Sequence, residues 1–318
     1  MIICIGNALV DSLIQIDESK IDELNLNKAR MTLVDKVRSN FLLKNMNNPI
    51  YEAGGSAANT AYWISQLGGD VGFIGKISKD DLGKQFQTSL KDSGLKDFTV
   101  YETEDNQTGL CAIFITPDGE RTMNTYLGAG EHLSIKDLNE SSISDAKILY
   151  MEGYLWDKPS SKEAFIHAAK LNKETEGLNA ISLSDVFCVE MHRESFIDFI
   201  KSDIDFVFCN EDELNALFKT DVTAEAIKYF VKEFPNVRQL ICTLGPEGVL
   251  ILDEGKQYNF NSAEANVIDK TGAGDFFAGG YLFGLQNGLT INESADIANK
   301  SAAHVISEIG VRPKNKFV

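Results

Sequence analysis

From about residue 147 onward, short apolar runs alternate with helical patterns: "KILYMEG" before 159–175, "NAISLS" before 190–200, "IDFVFC" before 210–217, then "RQLICTLG". Strands separated by helix-length segments pair side by side through crossovers, so this alternation commits the chain to βαβ units and a mainly parallel sheet. Helical patterns near 55–67, 80–93, 271–287 and 290–308 fit the same α/β architecture. The N-terminal part reads differently. "SLIQI", "MTLV", "DFTVYET", "GLCAIFIT" and "RTMNTYL" are strand-like, and "PDGE" joins the last two. Pro fixes φ and Gly supplies a positive φ, so this tetrapeptide predicts a hairpin turn. Segments 12–50 and 98–130 are therefore expected to leave the main sheet and build a small β layer, a candidate lid on a single 1–318 domain. Phe114 and Tyr126 in that layer are candidates to stack on a flat ligand.

Several apolar runs end in polar residues. "ICIGN" leads to Asn7 and Asp11, "FVFC" to Asn210, and "LICT" to Thr243. Ligands of open α/β sheets bind beyond the carboxyl ends of the strands, so these positions gather on one rim.

The acidic excess bounds the partners. With 47 acidic against 30 basic residues and a formal net charge of −17, the surface repels nucleic acid and anionic membranes. A small phosphate compound would need local positive potential. The five cysteines lie singly in apolar runs without a CxxC pair, which predicts reduced core thiols and a cytoplasmic protein. Asp11 interrupts the first apolar run, which has no basic region before it, so no signal peptide is expected there. No apolar stretch reaches the roughly 20 residues a membrane span needs.

Chemistry concentrates in "DKTGAGDFFAGG", 269–280. If Thr271 to Gly274 form the first turn of a helix, their unpaired N–H groups and the helix dipole make an anion site. Asp275 in that turn can accept a hydroxyl proton and aim the oxygen at a phosphoryl group. Its pKa is expected to be low beside a helix N-terminus, which a loose phosphoryl-transfer transition state tolerates. A helix start chosen for close packing, with Asp275 as a surface charge, fits the same residues. Other phosphate motifs fail. "DVGFIGKI" has Asp70 and Ile77 where a P-loop needs Gly and Ser/Thr, and Phe277 sits where a dinucleotide fingerprint needs its third glycine. The histidines lack zinc-site spacing.

Two further elements carry both a structural and a functional reading. "EAGGSAANTAYWISQLG", 52–68, opens a helix with Gly54 and Gly55 and places Asn59 one turn inside. "CNEDE", 209–213, sets Asn210 and Glu213 three apart on one helix face, either as a plain cap or as holders of Mg²⁺-bound water.

In order and spacing, "AGGSAANTA", "NEDE" and "DKTGAGDFFAGG" resemble the ribokinase-like family of carbohydrate and purine kinases, over essentially the whole chain. "IGNALVDSLI", "QTGLCAIFITPDGERTMNTYLGA", "ISLSDVFC" and "MEGYLWD" are most similar to its bacterial adenosine-kinase branch. The resemblance implies a three-layer α/β/α fold with a β-sheet lid, and ATP-dependent transfer to a nucleoside 5′-hydroxyl in purine salvage. It implies Asp275 as base and Gly272, Ala273 and Gly274 as anion hole. Asp11, Gly54, Gly55 and Asn59 would hold ribose hydroxyls, with Asn7 near the base ring. Arg121 would face phosphate from the lid hairpin. Asn210 and Glu213 would order Mg²⁺ waters, Thr243 and Gly245 would line the nucleotide side, and Asn299 would lie near the ATP adenine. Asp269 and Thr271 are candidates for a monovalent cation such as K⁺. Lys270 departs from the uncharged residue common in relatives. A sugar kinase acting on ribose, fructose or a keto-deoxy sugar acid shares this machinery, and a silent ligand-binding relative is a third reading. Either a monomer or a homodimer is compatible with it.

Overall fold

"IICI", "VGFI", "ILYME" and "FVFC" are buried along their whole length, so these strands need helices on both faces. The computed structural model, which describes residues 1–103, 106–313 and 315–317, supplies that cover. Across its nine-stranded sheet the order is Lys256–Phe260, Val249–Asp253, Gln239–Thr243, Phe206–Asn210, Leu178–Ser182, Ile148–Glu152, Ile2–Ile5, Val71–Ile74 and Lys96–Asp97. Val249–Asp253 pairs antiparallel with both its neighbours, and all the other pairings are parallel. One face packs on the helices Ser56–Gln66, Asp81–Asp92, Ala273–Gln286 and Ile291–Val305, with Phe73, Phe86, Phe277 and Tyr281 in the core between. The other face packs on Pro159–Glu174, Val186–Asp203, Glu211–Phe218 and Thr223–Glu233, around Trp156, Phe165 and Phe196. The result is the three-layer α/β/α fold of the ribokinase-like kinases.

A second sheet of five strands runs in the order Met31–Leu33, Arg121–Tyr126, Gly109–Ile115, Leu9–Gln15, Ile50–Gly54. Its hairpin turns through Pro117-Asp118-Gly119-Glu120, where Gly119 takes φ 83° and its N–H donates to Thr116 O at 2.9 Å. "DFTVYET" departs from expectation. Lys96–Asp97 joins the edge of the large sheet, and Val100–Tyr101 forms a two-stranded ribbon with Lys76–Ile77. Phe98 explains this, because its ring lies against Gly72 of the large sheet and anchors the segment there.

Candidate active site

Gly55 and Gly272 open the two helices that face each other across the site. Gly55 takes φ 98°, and a Cβ on it would lie 2.1 Å from the carbonyl oxygen of Asn7, so only glycine lets the chain turn here. Gly272 caps the Ala273–Gln286 helix in the left-handed region at φ 76°. The first turn of that helix lines a cleft of about 700 Å³. The expectation of unpaired N–H groups from Thr271 to Gly274 is corrected, since Thr271 N donates to Asp269 at 3.1 Å and Ala273 N to Lys270 O at 3.3 Å. No protein atom occupies the 4 Å around a Cβ built on Gly274, which leaves that turn open to a ligand.

Asp275 stands in this turn, held by two donors from the facing helix. Ser56 Oγ donates to one carboxylate oxygen at 2.6 Å and Asn59 Nδ2 to the other at 2.9 Å. The expectation of a low pKa is corrected. Burial pushes the Asp275 carboxyl above its ordinary value, against the lowering effect of Ser56, Asn59 and the Arg312 charge. Desolvation, the largest of these effects, sets the direction.

The carboxylates of Asp11 and Glu152 line the same cleft. Asp11 lies directly against Gly54, and burial raises it to about 7, opposed by Arg312. Glu152 is fully buried and accepts from Asn7 N at 2.8 Å, Asn7 Nδ2 at 2.7 Å and Ala57 N at 2.6 Å. Desolvation still lifts it to about 7. Glu152 fixes the Asn7 amide, whose Oδ1 is buried toward Gly130 without a protein hydrogen-bond partner.

At the far end of the cleft, Asn210 and Glu213 form a capping box. Asn210 Nδ2 and N reach the Glu213 carboxylate at 2.7 and 3.1 Å, and Glu213 N returns 2.8 Å to Asn210 Oδ1. The cap reading of "CNEDE" holds, and the cap lines the cleft beside Thr243 and Gly245. With both oxygens taken and its carboxyl raised to about 7 by burial, Glu213 fits a contact to Mg²⁺ through water better than direct ligation. No cluster of three metal-ligating side chains exists among the described residues.

Several residues lie elsewhere than expected. Asn59 is outside the cleft lining, its carbonyl turned to Arg312 at 2.9 Å and its amide to Asp275. Arg121 is buried in an ion pair with Asp269. Asp269 also accepts from Thr271 N at 3.1 Å and Gly310 N at 2.8 Å, so a monovalent cation there would compete with a guanidinium already in place. Thr271 and Lys270 line the cleft, while Asn299, buried on the last long helix, does not. Phe114 is corrected as a stacking residue. Strand alternation turns it to the opposite face of the second sheet, onto Ile21, Leu24 and Leu42. Tyr126 is likewise outside the cleft, whose wall from this sheet is Leu9, Met31, Leu33 and Met123. Rings that line it are Tyr154, Phe208, Phe277 and Phe187, the last half exposed at the start of the Val186–Asp203 helix.

Glu152 and Arg312 were missed at the level of sequence. Glu152 sits inside the quoted "MEGYLWD", at a strand end where a polar residue signals a rim position. Arg312 follows the last helix in a stretch with no motif.

The family model for pfkB family carbohydrate kinases matches residues 20–316. A solved structure of a probable sugar kinase from Rhizobium etli is 34% identical, with 99% of this chain and 96% of that chain covered and a TM-score of 0.89. That of adenosine kinase from Sinorhizobium meliloti is 33% identical at the same coverage, with a TM-score of 0.90. Adenosine kinase from Dictyostelium discoideum is 24% identical over 99% of this chain and 98% of its own length.

Proposed function

The chain belongs to the pfkB family of carbohydrate kinases, and as an ATP-dependent phosphotransferase of that family we propose that it phosphorylates the 5′-hydroxyl of adenosine. Asp11 and the Gly54-Gly55 backbone bind the vicinal ribose hydroxyls, since a carboxylate can accept from both oxygens. Asp275 takes the proton of the 5′-hydroxyl as that oxygen bonds to the γ-phosphorus and the bond to the β-phosphate oxygen breaks, releasing ADP. A raised carboxyl pKa suits this role, because it moves the base toward the operating pH. The Gly272-Ala273-Gly274 turn faces the transferring group and stabilises its equatorial oxygens. ATP lies along Asn210, Thr243 and Gly245. Bound Mg²⁺ neutralises phosphate charge, and Asn210 with Glu213 orders its water shell. The second sheet acts as the lid.

The observation that carries a nucleoside over a free sugar is the cleft wall of Met31, Leu33, Met123 and Phe187 beside the polar floor of Asn7 and Asp11. A purine covers such a wall, whereas a free sugar leaves it to water. Asn7 stands at the polar floor beside this wall, where the base ring of a nucleoside would lie. The sugar kinase reading draws on the same Asp11 and glycine floor and on the Rhizobium etli likeness.

Coupled ADP release with Mg–ATP across adenosine, inosine, guanosine, ribose and fructose decides between them. Adenosine is expected to show the highest kcat/KM, with Asn7→Ala harming it more than any free sugar. Ribose or fructose matching adenosine overturns the nucleoside reading.

A further inference from the structure

Arg312 lies beyond the last helix, yet it reaches the helix that carries Asn59. Its Nη1 donates to Asn59 Oδ1 at 2.9 Å, and its guanidinium lies 4.2 Å from the centre of the Tyr62 ring. The two residues just before this arginine are strapped in place. Gly310 N donates to Asp269 at 2.8 Å, and Val311 packs with Trp63 and Phe276.

A guanidinium has donors only, so the Asn59 atom that meets it must be the carbonyl oxygen. The amide nitrogen then points the other way, 2.9 Å from the Asp275 carboxylate. Reversed, the amide would set its oxygen against a carboxylate and its N–H₂ against a cation. We propose that Arg312 is a positioning residue for phosphoryl transfer: by holding the carbonyl of Asn59 it turns that amide onto Asp275 and fixes the carboxylate beside the acceptor hydroxyl. This rests on Asp275 as the base. Arg312 itself touches no reacting atom.

Asp275 is also faced by Ser56 on the same helix as Asn59, by Tyr150 and Glu152 on the central strand, by Tyr154 beyond it and by Asp11 on the second sheet. All of these stay constant between variants at position 312, so a difference between variants reports the arginine. Its positive charge favours the ionised carboxylate, and removing it moves the acid limb of kcat to higher pH.

The test is a double-mutant cycle of Arg312→Met and Asn59→Ala, with kcat, acceptor KM and the pH profile of kcat. Arg312→Met is expected to lower kcat about 10- to 100-fold, the scale of a misplaced reacting group, with KM nearly unchanged and the acid limb raised. Arg312→Lys, still a donor-only cation, recovers most of kcat. In the Asn59→Ala background the methionine adds no more than about twofold. Unchanged kcat and acid limb in Arg312→Met, or costs that multiply in the double variant, overturn the proposal. Should the methionine variant not fold, Arg312→Gln runs the same cycle under the same criteria. Asp275→Asn measured alongside separates the failures. If it stays active, the base assignment fails. If it is inactive while the costs multiply, only the role of Arg312 fails.

Discussion

At Gly55 a single hydrogen in place of a side chain lets two parts of the site meet. The Asn7 carbonyl occupies the volume a Cβ would need, and φ 98° excludes other residues without strain. Gly55→Ala is expected to destabilise the fold by roughly 1–3 kcal/mol, the scale of backbone strain at such positions. It should also raise KM for the acceptor, because Asn7 and Asp11 flank the displaced backbone. Urea unfolding and steady-state kinetics check this, and wild-type values in both would contradict the close approach. Gly55, Asn210 and Asp275 were legible in sequence because each belongs to a short local pattern in which helix start and polar group are neighbours. Glu152 and Arg312 were not, because their partners lie 145 residues away at Asn7 and 253 residues away at Asn59. A buried carboxylate at a strand end leaves only a faint local trace, and an arginine past the last helix reads as a tail.

The hairpin Gly109–Ile115 to Arg121–Tyr126 was readable from its turn, where Pro117 and Gly119 each meet a stated backbone need. Its facing was harder to read. Alternation says that Cys111 and Ile113 share one face and Phe114 the other, but not which face meets the cleft. The two-residue ladders at Lys96–Asp97 and Val100–Tyr101 are too short to show any period, so a packing contact at Phe98 settled their place. The hairpin is tied to the large unit at Arg121, whose ion pair with Asp269 bridges it to the loop before the Ala273–Gln286 helix. Removing one partner of a buried pair leaves the other charge uncompensated. Arg121→Ala should therefore lower stability by roughly 3–5 kcal/mol. It should also reduce kcat, since the Asp269 carboxylate it neutralises accepts from Thr271 N just before the Ala273–Gln286 helix that carries Asp275. An unchanged midpoint of unfolding together with an unchanged kcat would leave Arg121 without either role.

Across the molecule, charge and topology set one problem. A chain of net charge −17 must draw a polyanionic cosubstrate into a cleft that already contains Asp11, Glu152, Glu213 and Asp275. The means are local: the helix N-terminus at Ala273–Gly274, Lys270 at the cleft wall, and Arg312 among the carboxylates. Topology places them together, because every parallel strand ends on the same rim and the second sheet rises from that rim at Leu9. What joins charge, fold and chemistry is the placement of Asp275 in the glycine turn. The direct measurement is kcat of Asp275→Asn with adenosine and Mg–ATP, alongside the dissociation constant for adenosine. A loss on the order of 10²–10⁴ in kcat with affinity within a few-fold of wild type is predicted for a positioned general base. More than about a tenth of wild-type kcat, with chemistry shown to be rate-limiting, would contradict it.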